Sequence, residues 1–301
     1  MQRTRTRALL AAAALFCLAP VGAAFAQSMQ SDTIVVTGRT PEQTQRFVER
    51  IAAVPAADQL ARWDHEICTS IAGLPARQGQ FLADRIAERA SALGLRPGEP
   101  GCQGNVAIFV TNDSDALARA LFEQDQSLFA YLGGGGLVTM GRAAFDEFLN
   151  SPRPVRWWHV AETIGADGLS LHGDAAQGGF SNAPMARSQG TRLRNETRQD
   201  FARVIIIVDA RRVGSANLAA LGDYIAMVAL AQINPSADTS AFPTVLNLFN
   251  APANAVDGMS DWDVAYLDGL YNATRSAVSA QQQQREIARR MINGGGGSGQ
   301  P

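Results

Sequence analysis

Six consecutive residues, 203–208 (RVIIIV), constrain this chain more than any other stretch. Branched aliphatic side chains at successive positions suit a pleated strand. An apolar run without alternation suits a strand covered on both faces. Such a strand belongs inside a sheet with helices above and below it, so the expected class is α/β (α+β), with a mixed sheet packed by helices.

The flanking sequence repeats that theme. Residues 105–110 (NVAIFV) read as a second buried strand, and 155–160 (VRWWHV) as a third. Helical spacing places Phe47, Ile51 and Val54 on one face, and Phe81, Leu82, Ile86 and Leu93 on another between Pro75 and Leu93. Asp113 or Ser114 can cap a helix at 114–122, and Phe145, Phe148 and Leu149 mark a short one. After the RVIIIV run, Leu218, Leu221, Ile225, Val228 and Gln232 form one stripe. Ser260 and Asp263 form a capping box for a closing helix with Val264, Leu267, Leu270 and Tyr271 inward. Gln281 to Gln284 read as a solvated helix running to about Ile292. No repeat interrupts this order, so residues 46–292 are expected to form a single domain.

The ends read differently. Arg3, Arg5 and Arg7, a short apolar run and Ala24-Phe25-Ala26 make a secretory signal cut after Ala26, which implies export to the periplasm. Residues 27–45 are expected to be an extended lead, and 293–301 a disordered Gly-rich tail. Cleavage removes three arginines and no acids, so the net charge moves from −2 to −5. All 26 basic residues are arginine, and no basic block stands out, which argues against nucleic acid as a partner. No later stretch is apolar enough for a membrane span. In an exported chain Cys68 and Cys102 are expected to pair as a disulfide.

Strand 203–208, the helix at 218–233, the turn at Leu246-Asn247-Leu248-Phe249 and the helix at 261–271 follow an order that resembles the C-terminal half of the zincin metalloprotease fold. A zincin carries H-E-x-x-H on that first helix, and here the stretch reads Asp223-Tyr224-Ile225-Ala226-Met227. Asp223 and Met227 are a poor zinc pair, Tyr224 stands at the base position, and no histidine follows His172. The resemblance therefore implies a degenerate zincin-like domain, a pseudoenzyme with no metal, cofactor or catalytic residues. The V-V-T-G start, the two-cysteine N-terminal half and the P-V-R-W-W-H strand also resemble those of uncharacterised exported proteins of alphaproteobacteria. That second resemblance implies export and assigns no activity.

Arg153, Arg156, Trp157, Trp158 and His159 are the densest group of candidate binding residues. On a strand Arg156 and Trp158 share one face, while Trp157 and His159 share the other. In a zincin the edge strand lines the cleft and pairs with extended peptide, and aromatics beside arginine suit a peptide or glycan. A plainer reading puts one tryptophan in the core and leaves the arginines and the histidine in solvent. The leading expectation is a non-catalytic exported protein that binds a peptide, a glycan or an envelope protein. Two alternatives stand beside it. One is a hydrolase centred on His159. The other is an accessory of TonB-linked uptake, because Asp32-Thr33-Ile34-Val35-Val36-Thr37-Gly38 resembles a TonB box. A local cluster at Asp64-His65-Glu66 could hold a metal or mark a helix start, His172 reads as incidental, and Gly133 to Gly136 as a flexible loop.

Overall fold

A computed structural model describes residues 39–55, 58–132, 136–169 and 194–294. The signal segment, Asp32 to Gly38, Gly133 to Gly135, His172 and the tail beyond Gly294 lie outside the described residues. Among the described residues five strands form one mixed sheet: β1 (Thr69–Ala72), β2 (Val106–Thr111), β3 (Leu137–Val138), β4 (Val155–Gly165) and β5 (Thr197–Asp209). Their order is β1-β2-β5-β4-β3. β1, β2 and β5 run parallel, whereas β4 is antiparallel to β5 and to β3. The chain has an α/β fold.

The RVIIIV run occupies the centre of the sheet, as its composition requires. Val204, Ile206 and Val208 face one core, and Ile205 and Ile207 face the other. Each such burial contributes about 1.5–3 kcal/mol relative to exposure. The first face carries α1 (Pro41–Ile51), α2 (Ala76–Ala92), α5 (Leu218–Leu230), α7 (Asp261–Asn272) and α8 (Ala280–Gly294). A single turn, α6 (Asn247–Asn250), links α5 to α7. The second face carries α3 (Ser114–Gln124) and α4 (Arg142–Asn150), with the 3-10 turn Gln126–Phe129. Every residue of α5 from Ala220 to Leu230 is buried, so this helix is core on all sides.

Local signals are met in place. Thr40 caps α1 in a capping box that begins the helix at Pro41, earlier than expected, so residues 41–45 are helical rather than part of an extended lead. Ser260 and Asp263 form the expected capping box of α7. Asp113, rather than Ser114, caps α3. Cys68 and Cys102 form a disulfide, and closing a loop of that length restricts the unfolded chain by about 3–4 kcal/mol in the entropy account.

Some spacings mislead. Phe81 and Val264, expected inward, are exposed, because α2 and α7 each bury a narrower stripe than their apolar residues mark out. Val54 is also exposed, since α1 ends at Ile51 and cannot carry the stripe further. Conversely, Gln283 and Gln284 are buried on α8 rather than solvated. The Gln283 side-chain oxygen accepts from the Leu60 amide, so a polar residue closes a buried main-chain group of an irregular segment. No helix among the described residues is long and apolar enough to cross a membrane.

Candidate functional site

β4 is built from alternating side chains that serve two cores. Trp158 enters the second core against Phe145, ring centroids 4.9 Å apart, and its indole N–H donates to the Phe129 carbonyl at 3.0 Å. Trp157 enters the first, where its indole donates to the Ile233 carbonyl at 3.0 Å and its ring meets Tyr224 edge-on. Arg156 donates through Nη1 to the carbonyls of Phe148 and Leu149 at the end of α4. Through Nη2 it reaches Ser114 and Asp115 at the start of α3. One guanidinium thus ties the C-terminus of α4, where a cation is favoured, to Asp115 in the first turn of α3, where an acid is favoured.

The plainer expectation for these residues needs correction. Both tryptophans are buried, and so are Arg156 and His159, at 2% and 3% exposure. The cause is the strand's position: β4 lies between packed helices on both faces, so neither alternating set reaches open solvent. His159 Nε2 sits 2.7 Å from the Val228 carbonyl, which can only accept, so Nε2 carries the proton. Burial lowers the imidazole pKa to about 4, which keeps the ring neutral near pH 7.

The main chain of β4 behaves differently from its side chains. The Asp209 amide donates to the Pro154 carbonyl. With Val155 opposite Val208 and Trp157 opposite Ile206, this fixes which groups point at β5. Arg156, Trp158 and Val160 exchange the ladder bonds, so the amides and carbonyls of Val155, Trp157 and His159 point the other way. On that side β3 covers only Ala161 and Glu162, and the Thr163 amide reaches Gly136. After Met140 the chain leaves the sheet at Gly141, whose φ of +84° suits glycine, and enters α4. Among the described residues nothing hydrogen-bonds the outward groups of Val155, Trp157 and His159.

A cleft of about 90 Å³ runs along this free edge. Met140, Ala144 and Phe148 form one wall, and Ile233, Asn234 and Pro235 the other. All five candidates, Arg153, Arg156, Trp157, Trp158 and His159, line it. A polar bridge crosses one end. Arg153 Nη2 donates to Glu147 and to Ser236 Oγ at 3.0 Å, and Ser236 Oγ donates to Glu147 at 2.8 Å. Arg153 Nη1 and Arg156 Nε are buried without a partner.

The α5 positions singled out by the zincin comparison are engaged elsewhere. Both oxygens of Asp223 accept from Arg85 and Arg89, at 2.8 and 2.9 Å, and one also accepts from the Met259 amide. Burial raises the pKa of this carboxyl, but the Arg89 and Arg85 hydrogen bonds outweigh it, and the net shift is downward. Met227 is fully buried. Tyr224 lies between Trp157 and Phe249, and burial pushes its phenol up.

Asp64, His65 and Glu66 start no helix. Asp64 pairs with Arg198 and Arg275. His65 and Glu66 border a larger hollow of about 700 Å³ beside the disulfide, over the second face of the sheet. No group of three or more histidine, cysteine or acidic side chains among the described residues is placed to hold a metal ion.

Sequence reasoning found the cleft's strand and missed its walls. Glu147, Ser236, Ala144 and Ile233 carry no motif. Strand alternation says which side chains share a face and is silent on which backbone groups stay unpaired. No family model, curated protein or solved structure matches the chain.

Proposed function

We propose that this is an exported, non-catalytic binding protein on a zincin-like scaffold, and that it takes an extended peptide onto the free edge of β4. One observation carries the reading: Trp157 and His159, whose amides and carbonyls point away from β5, line a cleft with largely apolar walls. Strand addition supplies affinity through main-chain bonds and selectivity through the walls. A peptide suits this edge better than a glycan because the unmet groups repeat at the two-residue spacing of another strand.

The same geometry weighs against a hydrolase centred on His159. The ring is tied to a carbonyl rather than to a carboxylate, and a pKa of about 4 makes it a weak base near neutral pH. The zincin-like reading rests on the order β5, α5, α6, α7 with an antiparallel strand beside β5. Asp223, Tyr224 and Met227 then act as packing and ion-pair residues in place of a metal centre.

Amide hydrogen exchange tests the proposal. A saturating peptide selected from a random library is expected to slow exchange at Trp157 and His159, and to leave Arg156 and Trp158, already bonded to β5, unchanged. Protection that appears elsewhere and spares Trp157 and His159 rejects the reading.

A further inference from the structure

We infer that the peptide recognised at the β4 edge ends there, with its free C-terminal carboxylate on Arg153; this rests on the strand-addition reading above. Three independent observations agree. First, Arg153 Nη1 is buried and has no partner, while Nη2 of the same guanidinium is taken by Glu147 and Ser236. A buried N–H of a cation is costly to leave unmet, and a carboxylate is its strongest acceptor.

Second, polarity places the right terminus beside it. β3 already runs antiparallel to β4, and a peptide continuing its line along Val160 to Val155 keeps that direction. An antiparallel strand finishes at the N-terminal end of β4, where Arg153 stands two residues before Val155. Third, the cleft is closed beyond that point. Ser236 and Glu147 join its two walls by a direct hydrogen bond, so an occupant stops at Arg153 and does not run through.

The remaining walls select against bulk and charge. Met140, Ala144, Phe148 and Ile233 line a narrow apolar space of about 90 Å³, small beside the hollow of about 700 Å³ at the disulfide. The class of ligand is therefore an extended peptide with a free carboxyl end and a small apolar last residue. Among the described lining residues Glu147 is the one acid; it occupies Nη2 and leaves Nη1 to the ligand.

Two phage-displayed pools of random hexapeptides test this on the folded protein, one with free carboxyl ends and one fused through them. Enrichment from the free-ended pool alone is expected. Enrichment from the fused pool, alone or equally, overturns the carboxylate anchor and leaves strand addition standing; enrichment from neither overturns both. A selected hexapeptide, synthesised as acid and as amide, is then titrated by fluorescence anisotropy. The acid should bind at least about tenfold tighter. Arg153→Gln should remove that preference. Equal binding of acid and amide to the unaltered protein overturns the inference, whatever the variant does.

Discussion

Asp223 and Arg153 are both charged groups drawn away from water, and the fold treats them in opposite ways. Asp223, on a helix buried on every side, receives five hydrogen bonds from two guanidinium groups and one amide. Arg153, at the rim of the β4 cleft, has one nitrogen in a polar bridge and another with no partner. The first arrangement is complete and can only be damaged. The second has capacity left over beside a strand edge that also has capacity left over. In this protein the charged position on α5 is fully partnered, and polar groups without partners among the described residues remain at β4.

Substitutions can break or sharpen that contrast. Trp157 joins the two regions, packing on Tyr224 of α5 while its backbone faces the cleft. Trp157→Ala should cost the most, about 4 kcal/mol in urea unfolding, because it opens a cavity and orphans the Ile233 carbonyl. Asp223→Ala should cost about 3 kcal/mol by stranding two half-buried arginines. A loss under about 1 kcal/mol would mean solvent serves those arginines as well as the carboxylate does, and the contrast would fail.

pH separates the regions a second way. The folded pKa of His159 is depressed to about 4, so between about pH 6.5 and pH 4 the unfolded chain binds the extra proton. Stability should be flat above pH 7 and fall by about 3 kcal/mol across that window as pH drops. His159→Gln should flatten that slope in denaturation curves taken at each pH. Asp223, also depressed, contributes its stability above the ordinary aspartate range and loses it only at lower pH, so the two losses occur in separate windows. Arg153→Gln should change stability least, by under about 1 kcal/mol, since its partners Glu147 and Ser236 keep contact with water. A larger loss in calorimetry would make Arg153 structural, like Asp223.

Much of the scaffold was legible from local pattern. The unbroken aliphatic run of β5, the stripe of α5, the Ser260–Asp263 box and the Cys68–Cys102 pair each depend on neighbours in sequence or on one compartment rule. The cleft was legible only in part. Arg153 to His159 stood out by residue type, yet their burial depends on α4 and residues 233–235, which are distant in the chain. The partners of Asp223 lie on α2, 134 and 138 residues away, and nothing in an Arg-rich composition distinguishes Arg85 and Arg89. Gln283 shows the same limit, because a glutamine on a polar helix announces solvent until a bare amide such as that of Leu60 is brought beside it.

The two-residue length of β3 has a consequence for how copies of this chain behave at high concentration. An uncovered strand edge invites another copy's edge to join it, and sheet growth of that kind ends in aggregates. Here the chain turns away at Gly141, and α4 then walls one side of the bare stretch while the Glu147–Ser236 bridge closes its end. The short strand thus leaves backbone groups of β4 unpaired among the described residues, while the flanking helix walls them on one side.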